Sequence, residues 1–278
     1  MPTTNRELPW DALDPESYAT YNYWPLRADD RQILAAVRDH FSGMIAGRAI
    51  RTLRGIDVGS GSNLYPALAM LPWCSRITLL EHGKRNVDWL QREVGQFSEN
   101  WDEYWHVLSE HPAYRSVTDP RGRLARIARV VGGNLFSDLP VDSAEIGTMF
   151  FVAESVSGDR GEFSAALDRF TAALMPGAPF AVAFMENSLG YDVGDLRFPA
   201  CAIGPDDVFA ALSSQAASDL GVIRIEPPGA GPLRTGYTGM LLALGRKRVR
   251  GADPAERSTP SDPEAVPSLQ LPGRRPAP

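Results

Sequence analysis

Residues 55–65 read Gly-Ile-Asp-Val-Gly-Ser-Gly-Ser-Asn-Leu-Tyr, and no other stretch constrains the fold as tightly. Leu53, Ile56 and Val58 make a short apolar strand, the glycines interrupt it, and apolar residues return at helical spacing over 64–71. The glycines therefore sit on a strand-to-helix turn. Glycine suits such a turn because the backbone bends sharply and a ligand can approach without meeting a Cβ. The helix start that follows offers unpaired N–H groups to an electronegative group. A second apolar run, 77–80, ends in Glu81, at the distance from the glycines where an acidic residue holds a ribose diol in a doubly wound sheet. Leu64 stands where a dinucleotide fingerprint has its third glycine, which favours a mononucleoside ligand over NAD.

The rest of the chain alternates in the way a parallel sheet requires. Asp29 or Asp30 is read as the N-cap of a helix carrying Ile33, Leu34, Val37 and Phe41 on one face, running to about Gly43. Residues 86–97 form a crossover helix with Val87, Leu90, Val94 and Phe97 on one side. Residues 98–128 break the alternation with aromatics and with Arg121, Arg123, Arg126 and Arg129, read as a helical insertion with a solvated charged face. Strands are expected at 127–131, 146–153 and 180–185, a helix at 161–174, another opening at Gly204, and a final strand pair at 222–225 and 237–244. The fold class is α/β: a seven-stranded, doubly wound Rossmann-like sheet. Residues 1–47 are read as an N-terminal lid and helix, 48–245 as the ligand-binding domain, and the proline-rich 246–278 as a disordered tail.

A net charge of −6, from 28 Lys and Arg against 34 Asp and Glu, argues against nucleic-acid binding. Cys74 and Cys201 lack metal-ligand spacing and disulfide density, and His40, His82, His106 and His111 form no ligand-spaced set, so no metal site is expected. Neither a signal peptide nor a membrane span is read in the chain, and a cytoplasmic, monomeric protein is expected.

With the strands placed, the chain resembles the S-adenosylmethionine-dependent amine N-methyltransferases typified by the nicotinamide, phenylethanolamine and indolethylamine enzymes. The resemblance covers roughly residues 15–245. It rests on Asp57-x-Gly59-Ser60-Gly61-x-x-x-Tyr65, on Glu81 followed five positions later by Asn86, and on the spacing of Tyr18 and Tyr23. It implies S-adenosylmethionine as methyl donor and S-adenosylhomocysteine as product. Glu81 and Asn86 would serve the ribose and the methionine end, and Tyr18 and Tyr23 would lie near the transferring methyl and the donor carboxylate. Asn134 replaces the family's usual Asp, its side-chain oxygen accepting from the adenine amino group, and Leu135 belongs to the same donor-binding set. Phe150 and Phe151 stand where the family has small or hydroxyl residues and reshape the pocket. Glu186 matches the carboxylate that holds the amine substrate, Tyr191 an aromatic lining its pocket, and Glu154 is a further substrate-side candidate. The catalytic pair is then Glu186 and Tyr18.

The residues read alone support the same chemistry. Strand ends at Gly59, Glu81, Asn134, Glu154 and Glu186 share one sheet edge, and faces of Tyr18 or Tyr65 attract a sulfonium. Three alternatives stay open: the same donor used for O-methylation or cleaved by a lyase or cyclase that releases methylthioadenosine, a non-catalytic nucleoside-binding scaffold, and an NAD dehydrogenase.

Overall fold

A computed structural model of the chain describes residues 4–46, 52–227, 229 and 233–249. Helices α1 (Pro15–Tyr23) and α2 (Ala28–Met44) precede β1 (Leu53–Val58), and α3 (Tyr65–Met70) leads to β2 (Cys74–Glu81). Four helices follow, α4 (Lys84–Gln96), α5 (Asn100–Ser109), α6 (Pro112–Arg115) and α7 (Pro120–Ile127), before β3 (Ala128–Gly132). The chain continues through β4 (Ile146–Phe150), α8 (Arg160–Ala173), β5 (Pro179–Glu186), the short pair β6 (Gly190–Val193) and β7 (Leu196–Pro199), then α9 (Pro205–Ser213), β8 (Gly221–Ile225) and β9 (Gly239–Arg246).

Seven strands form one sheet in the order β3-β2-β1-β4-β5-β9-β8, with β1 to β5 parallel and β9 antiparallel to both its neighbours. This is the doubly wound sheet the alternation predicts. Strands β4 and β5 are buried along their whole length, and covering on both faces lets them be apolar without alternation. One core, with Phe41, Tyr65, Trp101 and Tyr104, packs on the face of α2, α3 and α5. The other, with Phe163, Phe170, Phe180 and Phe184, lies under α8 and α9.

Three local expectations change. Arg27, not Asp29 or Asp30, caps α2, and both aspartates are buried inside its first turn. Burial there requires partners: Arg27 Nε and Tyr237 Oη each donate to Asp29 at 3.2 Å, and Tyr65 Oη donates to Asp30 at 2.9 Å. In the insertion, now α5 to α7, Arg126 and Arg129 face solvent, but Arg123 turns inward and donates to the carbonyls of Leu71 and Cys74 at 2.9 and 2.6 Å. Third, the segment 187–203, to which the sequence assigns no strand or helix, contains the β6–β7 hairpin, against which Trp10 stacks through Phe198 at 5.1 Å.

At the other end, the Lys247 amide donates to Ala178 O and the Arg248 amide to Gln215 O, so backbone pairing continues past residue 245. The tail expected to be disordered lies, from residue 250, outside the described residues, as do 1–3 of the lid. No helix among the described residues is long and apolar enough to cross a membrane.

Candidate active site

The carboxyl ends of β1, β2, β3 and β4 open onto one crevice, as they must in a parallel doubly wound sheet. A cavity of about 800 Å³, its open mouth included, occupies that crevice. The glycine turn forms its floor: Gly59 and Gly61 adopt φ of +68° and +56°, a region other residues enter only at a cost. The N-terminal arm crosses the mouth and is tied on both sides. The Asn5 amide donates to Glu162 Oε2 at 2.9 Å, the Lys84 amide to Asp11 Oδ1 at 2.8 Å, and Arg85 Nη1 to the Ala12 carbonyl at 3.2 Å. Trp10 and Leu13 of this arm line the cavity, a contribution that sequence periodicity could not reveal.

Glu81 is the hub of the site. One of its oxygens accepts from the Gly61 amide at 2.8 Å, and the other from the Gly83 amide at 2.8 Å and Asn86 Nδ2 at 3.3 Å. A carboxylate has about four lone-pair directions, so one stays open, on the oxygen that serves Gly61. The turn does not form a phosphate cradle. The amides of Gly59 and Ser60 donate to Leu80 O, that of Asn63 to Ser60 O, and that of Tyr65 to Asn63 Oδ1. The helix-start donors expected to meet a ligand are thus largely consumed by the protein. Ser62 Oγ and Asn86 Oδ1, by contrast, are buried without a partner and belong to residues lining the cavity. Two orphaned polar atoms beside an incompletely used carboxylate, with Leu80, Leu135, Phe151 and Val156 as apolar wall, match a nucleoside with a polar tail. The residues therefore fit the donor that the sequence resemblance implies.

Tyr18, Tyr23, Gly59, Ser60, Gly61, Glu81 and Asn86 line this cavity, together with Asn134, Leu135, Phe151 and Tyr191. Asn134 differs in detail: its Oδ1 accepts from the Phe136 amide at 2.8 Å, so the oxygen assigned to the adenine amino group already has a partner.

Four other expected site residues are not brought to the cavity. Asp57 is buried beneath the turn, where Oδ1 accepts from Thr148 Oγ1 at 2.7 Å. Tyr65 is fully buried, stacked on Tyr104 at 5.2 Å with its hydroxyl on Asp30, and offers no face to a sulfonium. Glu154 is sealed in the core, accepting from the Met185 amide at 3.0 Å, and burial pushes its carboxyl up from the usual range. Glu186 closes β5, but its carboxylate is taken by Arg224 Nε at 2.8 Å and Thr238 Oγ1 at 2.6 Å. Its charge is already paired with Arg224.

Burial, reinforced by the Asp29 carboxylate alongside, pushes Asp30 up to about 7. The folded chain then holds a proton that the unfolded chain, with an ordinary carboxyl near 3.8, releases earlier. Its contribution to stability is consequently greatest below about pH 4 and is lost as pH rises towards 7. Asp30→Asn keeps an oxygen for Tyr65 and cannot ionise. Chemical denaturation at pH 5 and pH 8 is expected to show the variant losing at least about 1.4 kcal/mol less than the wild type, the worth of one pKa unit.

A second cavity, of about 920 Å³ with its open mouth, adjoins the first. The two share Tyr18 and Tyr191, whose rings meet edge to face at 6.0 Å. Arg234 lines this second space, and no motif in the sequence marks it. Among the described residues, no group of three His, Cys, Asp or Glu side chains is placed to hold a metal ion.

No curated protein matches the chain in sequence. Among solved structures, a DhpI complex with S-adenosylhomocysteine is similar at 14% identity, covering 84% of this chain and 92% of that one, with a TM-score of 0.52. The CurJ carbon methyltransferase is similar at 10% identity, covering 85% and 62%, with a TM-score of 0.51. The N-methyltransferase NodS from Bradyrhizobium japonicum WM9 is similar at 10% identity, covering 84% and 96%, with a TM-score of 0.49. At such identities the first two speak for the fold alone. The sequence profile of the NNMT/PNMT/TEMT family, however, matches residues 9–248, nearly the whole described chain. The chain belongs to the NNMT/PNMT/TEMT family and is an S-adenosylmethionine-dependent methyltransferase.

Proposed function

We propose that this enzyme methylates a nitrogen atom of a small molecule, with the donor in the glycine-turn cavity and the acceptor in the second cavity. When bound, S-adenosylmethionine supplies an already activated methyl group. Glu81 would hold the ribose through its open lone pair, Ser62 and Asn86 would meet the polar tail, and Leu135, Phe151 and Val156 would enclose the base. Asn134, with Oδ1 engaged, would offer its side-chain NH₂ to a ring nitrogen of the adenine. The arm over the mouth excludes water, and Tyr18 and Tyr191 fix the line along which the acceptor approaches.

The observation that carries the nitrogen reading is the make-up of the junction. The two cavities share only Tyr18 and Tyr191 among the described residues, so neither a carboxylate nor an imidazole stands there as a base. Burial pushes the Tyr191 hydroxyl well up, away from ionisation. An alcohol must lose its proton to react, whereas an aromatic or neutral amine nitrogen arrives with its lone pair free. Incubation with methyl-labelled donor and a panel of small amines and heteroaromatics tests this: S-adenosylhomocysteine and an N-methylated product are expected in equal amounts. Release of methylthioadenosine, or label found only on oxygen, would reject it.

The same reading assigns Glu186 to holding strands together. Glu186→Gln is expected to leave donor affinity and turnover within about threefold of the wild type while lowering stability by about 1–2 kcal/mol, the cost of weakened charged hydrogen bonds. Thermal melts and steady-state kinetics read the two effects separately. A tenfold drop in turnover at unchanged donor affinity would return Glu186 to the acceptor.

A further inference from the structure

The second cavity is lined by a buried cation that no carboxylate contacts among the described residues. Arg234 is only 5% exposed, yet no carboxylate lies within ion-pair distance of it among the described residues. Its guanidinium has five N–H donors. One donates to Ser155 Oγ at 3.0 Å and another to Tyr18 Oη at 2.7 Å, while the Tyr191 ring lies against its face at 4.3 Å. Both hydrogen-bond partners are neutral acceptors. A buried cation normally has a counter-ion, because desolvation is costly and an opposite charge must compensate.

The nearest acidic groups do not supply one. Glu154 is near enough to act on Arg234 electrostatically, and burial pushes its carboxyl up from the usual range, but no ion pair or hydrogen bond joins the two side chains. Asp192 also lines the cavity but is exposed and paired with Arg197 at 3.3 Å. Tyr18, Tyr21 and Tyr191 give the same space aromatic walls. Arg234 lines this second cavity and not the donor cavity.

We propose that the acceptor carries a carboxylate, and that Arg234 is its counter-ion in the second cavity. The substrate class is then a small, flat nitrogen compound bearing an anionic group, not a simple cationic amine. This rests on the methyl-transfer reading for the word acceptor, but the anion site itself does not. Guanidinium binds carboxylates through paired N–H groups, so with Tyr18 at the junction the same residue that faces the donor is braced by the acceptor's anchor.

Calorimetry with benzoate, benzamide and benzylamine tests the proposal on protein saturated with S-adenosylhomocysteine. These probes have nearly the same size and differ in charge. Benzoate is expected to bind at least about tenfold more tightly than benzamide, with benzylamine weakest, as for a charge-assisted site. Arg234→Met is expected to abolish the benzoate preference and Arg234→Lys to retain part of it, while the affinity for S-adenosylhomocysteine changes by less than about threefold. Benzoate binding no tighter than benzamide, or benzylamine binding best, would overturn the proposal. So would Arg234→Met weakening S-adenosylhomocysteine with the benzoate preference intact, since Arg234 would then serve the donor's own carboxylate. If Arg234→Met does not fold, the probe series on the wild type and Arg234→Lys still decides. If the wild type takes up no S-adenosylhomocysteine, the methyl-transfer reading falls, and the same benzoate and benzamide titrations without it still read the anion site.

Discussion

Glu81→Gln is expected to weaken S-adenosylhomocysteine binding by about 100-fold, because hydrogen bonds to a charged group contribute about 1.5–3 kcal/mol each and about 2.7 kcal/mol corresponds to that factor. The side chain is nearly isosteric, so lost volume cannot explain the effect. The carboxylate accepts backbone N–H groups on both of its oxygens, from Gly61 and from Gly83. Glutamine has one oxygen and one NH₂, so whichever way it turns, one amide faces a donor. The Gly61 side is the more damaging loss, since it ties the glycine turn to the end of β2 and leaves the open lone pair beside the cavity. Isothermal calorimetry measures the affinity, and circular dichroism checks that the sheet is intact. Affinity within threefold of the wild type would remove Glu81 from the donor site.

Much of this arrangement is legible in the sequence. Strands β4 and β5 are apolar runs because both their faces are buried, and β1 and β2 end in apolar stretches before the glycines and Glu81. Their parallel order then brings Gly59, Glu81 and Asn134 to one edge from separate parts of the chain. Depth was not legible. Asp57 and Tyr65 flank the glycines in sequence, yet the turn aims both side chains into the protein, Asp57 onto Thr148 and Tyr65 onto Asp30 and Tyr104. Motif adjacency fixes which residues are near the ligand along the chain but not which side of the backbone they occupy.

Partners far away in sequence were equally hidden. Glu186 ends a strand as a site carboxylate should, but its fate is decided by Arg224 on β8 and Thr238, which the antiparallel β5–β9–β8 register brings beside it. Arg234 sits in a proline- and glycine-rich segment without periodicity, and its burial is created by Tyr18, Ser155 and Tyr191, three separate segments. The β6–β7 hairpin has strands of four residues, too short to announce themselves by alternation, yet it receives Trp10 and so sets where the arm closes.

The glycine turn provides the second large effect, and a comparison within the turn separates its causes. Gly59 and Gly61 both have positive φ, so an alanine at either carries the left-handed penalty of about 1–2 kcal/mol. At Gly61 a Cβ enters open space, its nearest neighbour the Gly59 carbonyl at 3.9 Å. At Gly59 it would lie 2.7 Å from both methyls of Val152, a β-branched side chain with little rotamer freedom. Gly59→Ala is therefore expected to cost about 1–3 kcal/mol more than Gly61→Ala, the usual range for overpacking, and to weaken S-adenosylhomocysteine binding by about tenfold or more beyond it, since about 1.4 kcal/mol is a factor of ten. Adding Val152→Ala to Gly59→Ala removes both 2.7 Å contacts and leaves only the Val152 Cβ at 3.3 Å, while the φ is unchanged, so the double variant should recover most of the way towards Gly61→Ala in denaturant unfolding, whereas Val152→Ala alone should make the wild-type turn no more stable. Equal damage from the two single glycine variants, or no recovery in the double variant, would mean that backbone conformation alone demands glycine here and that Val152 does not press on the turn.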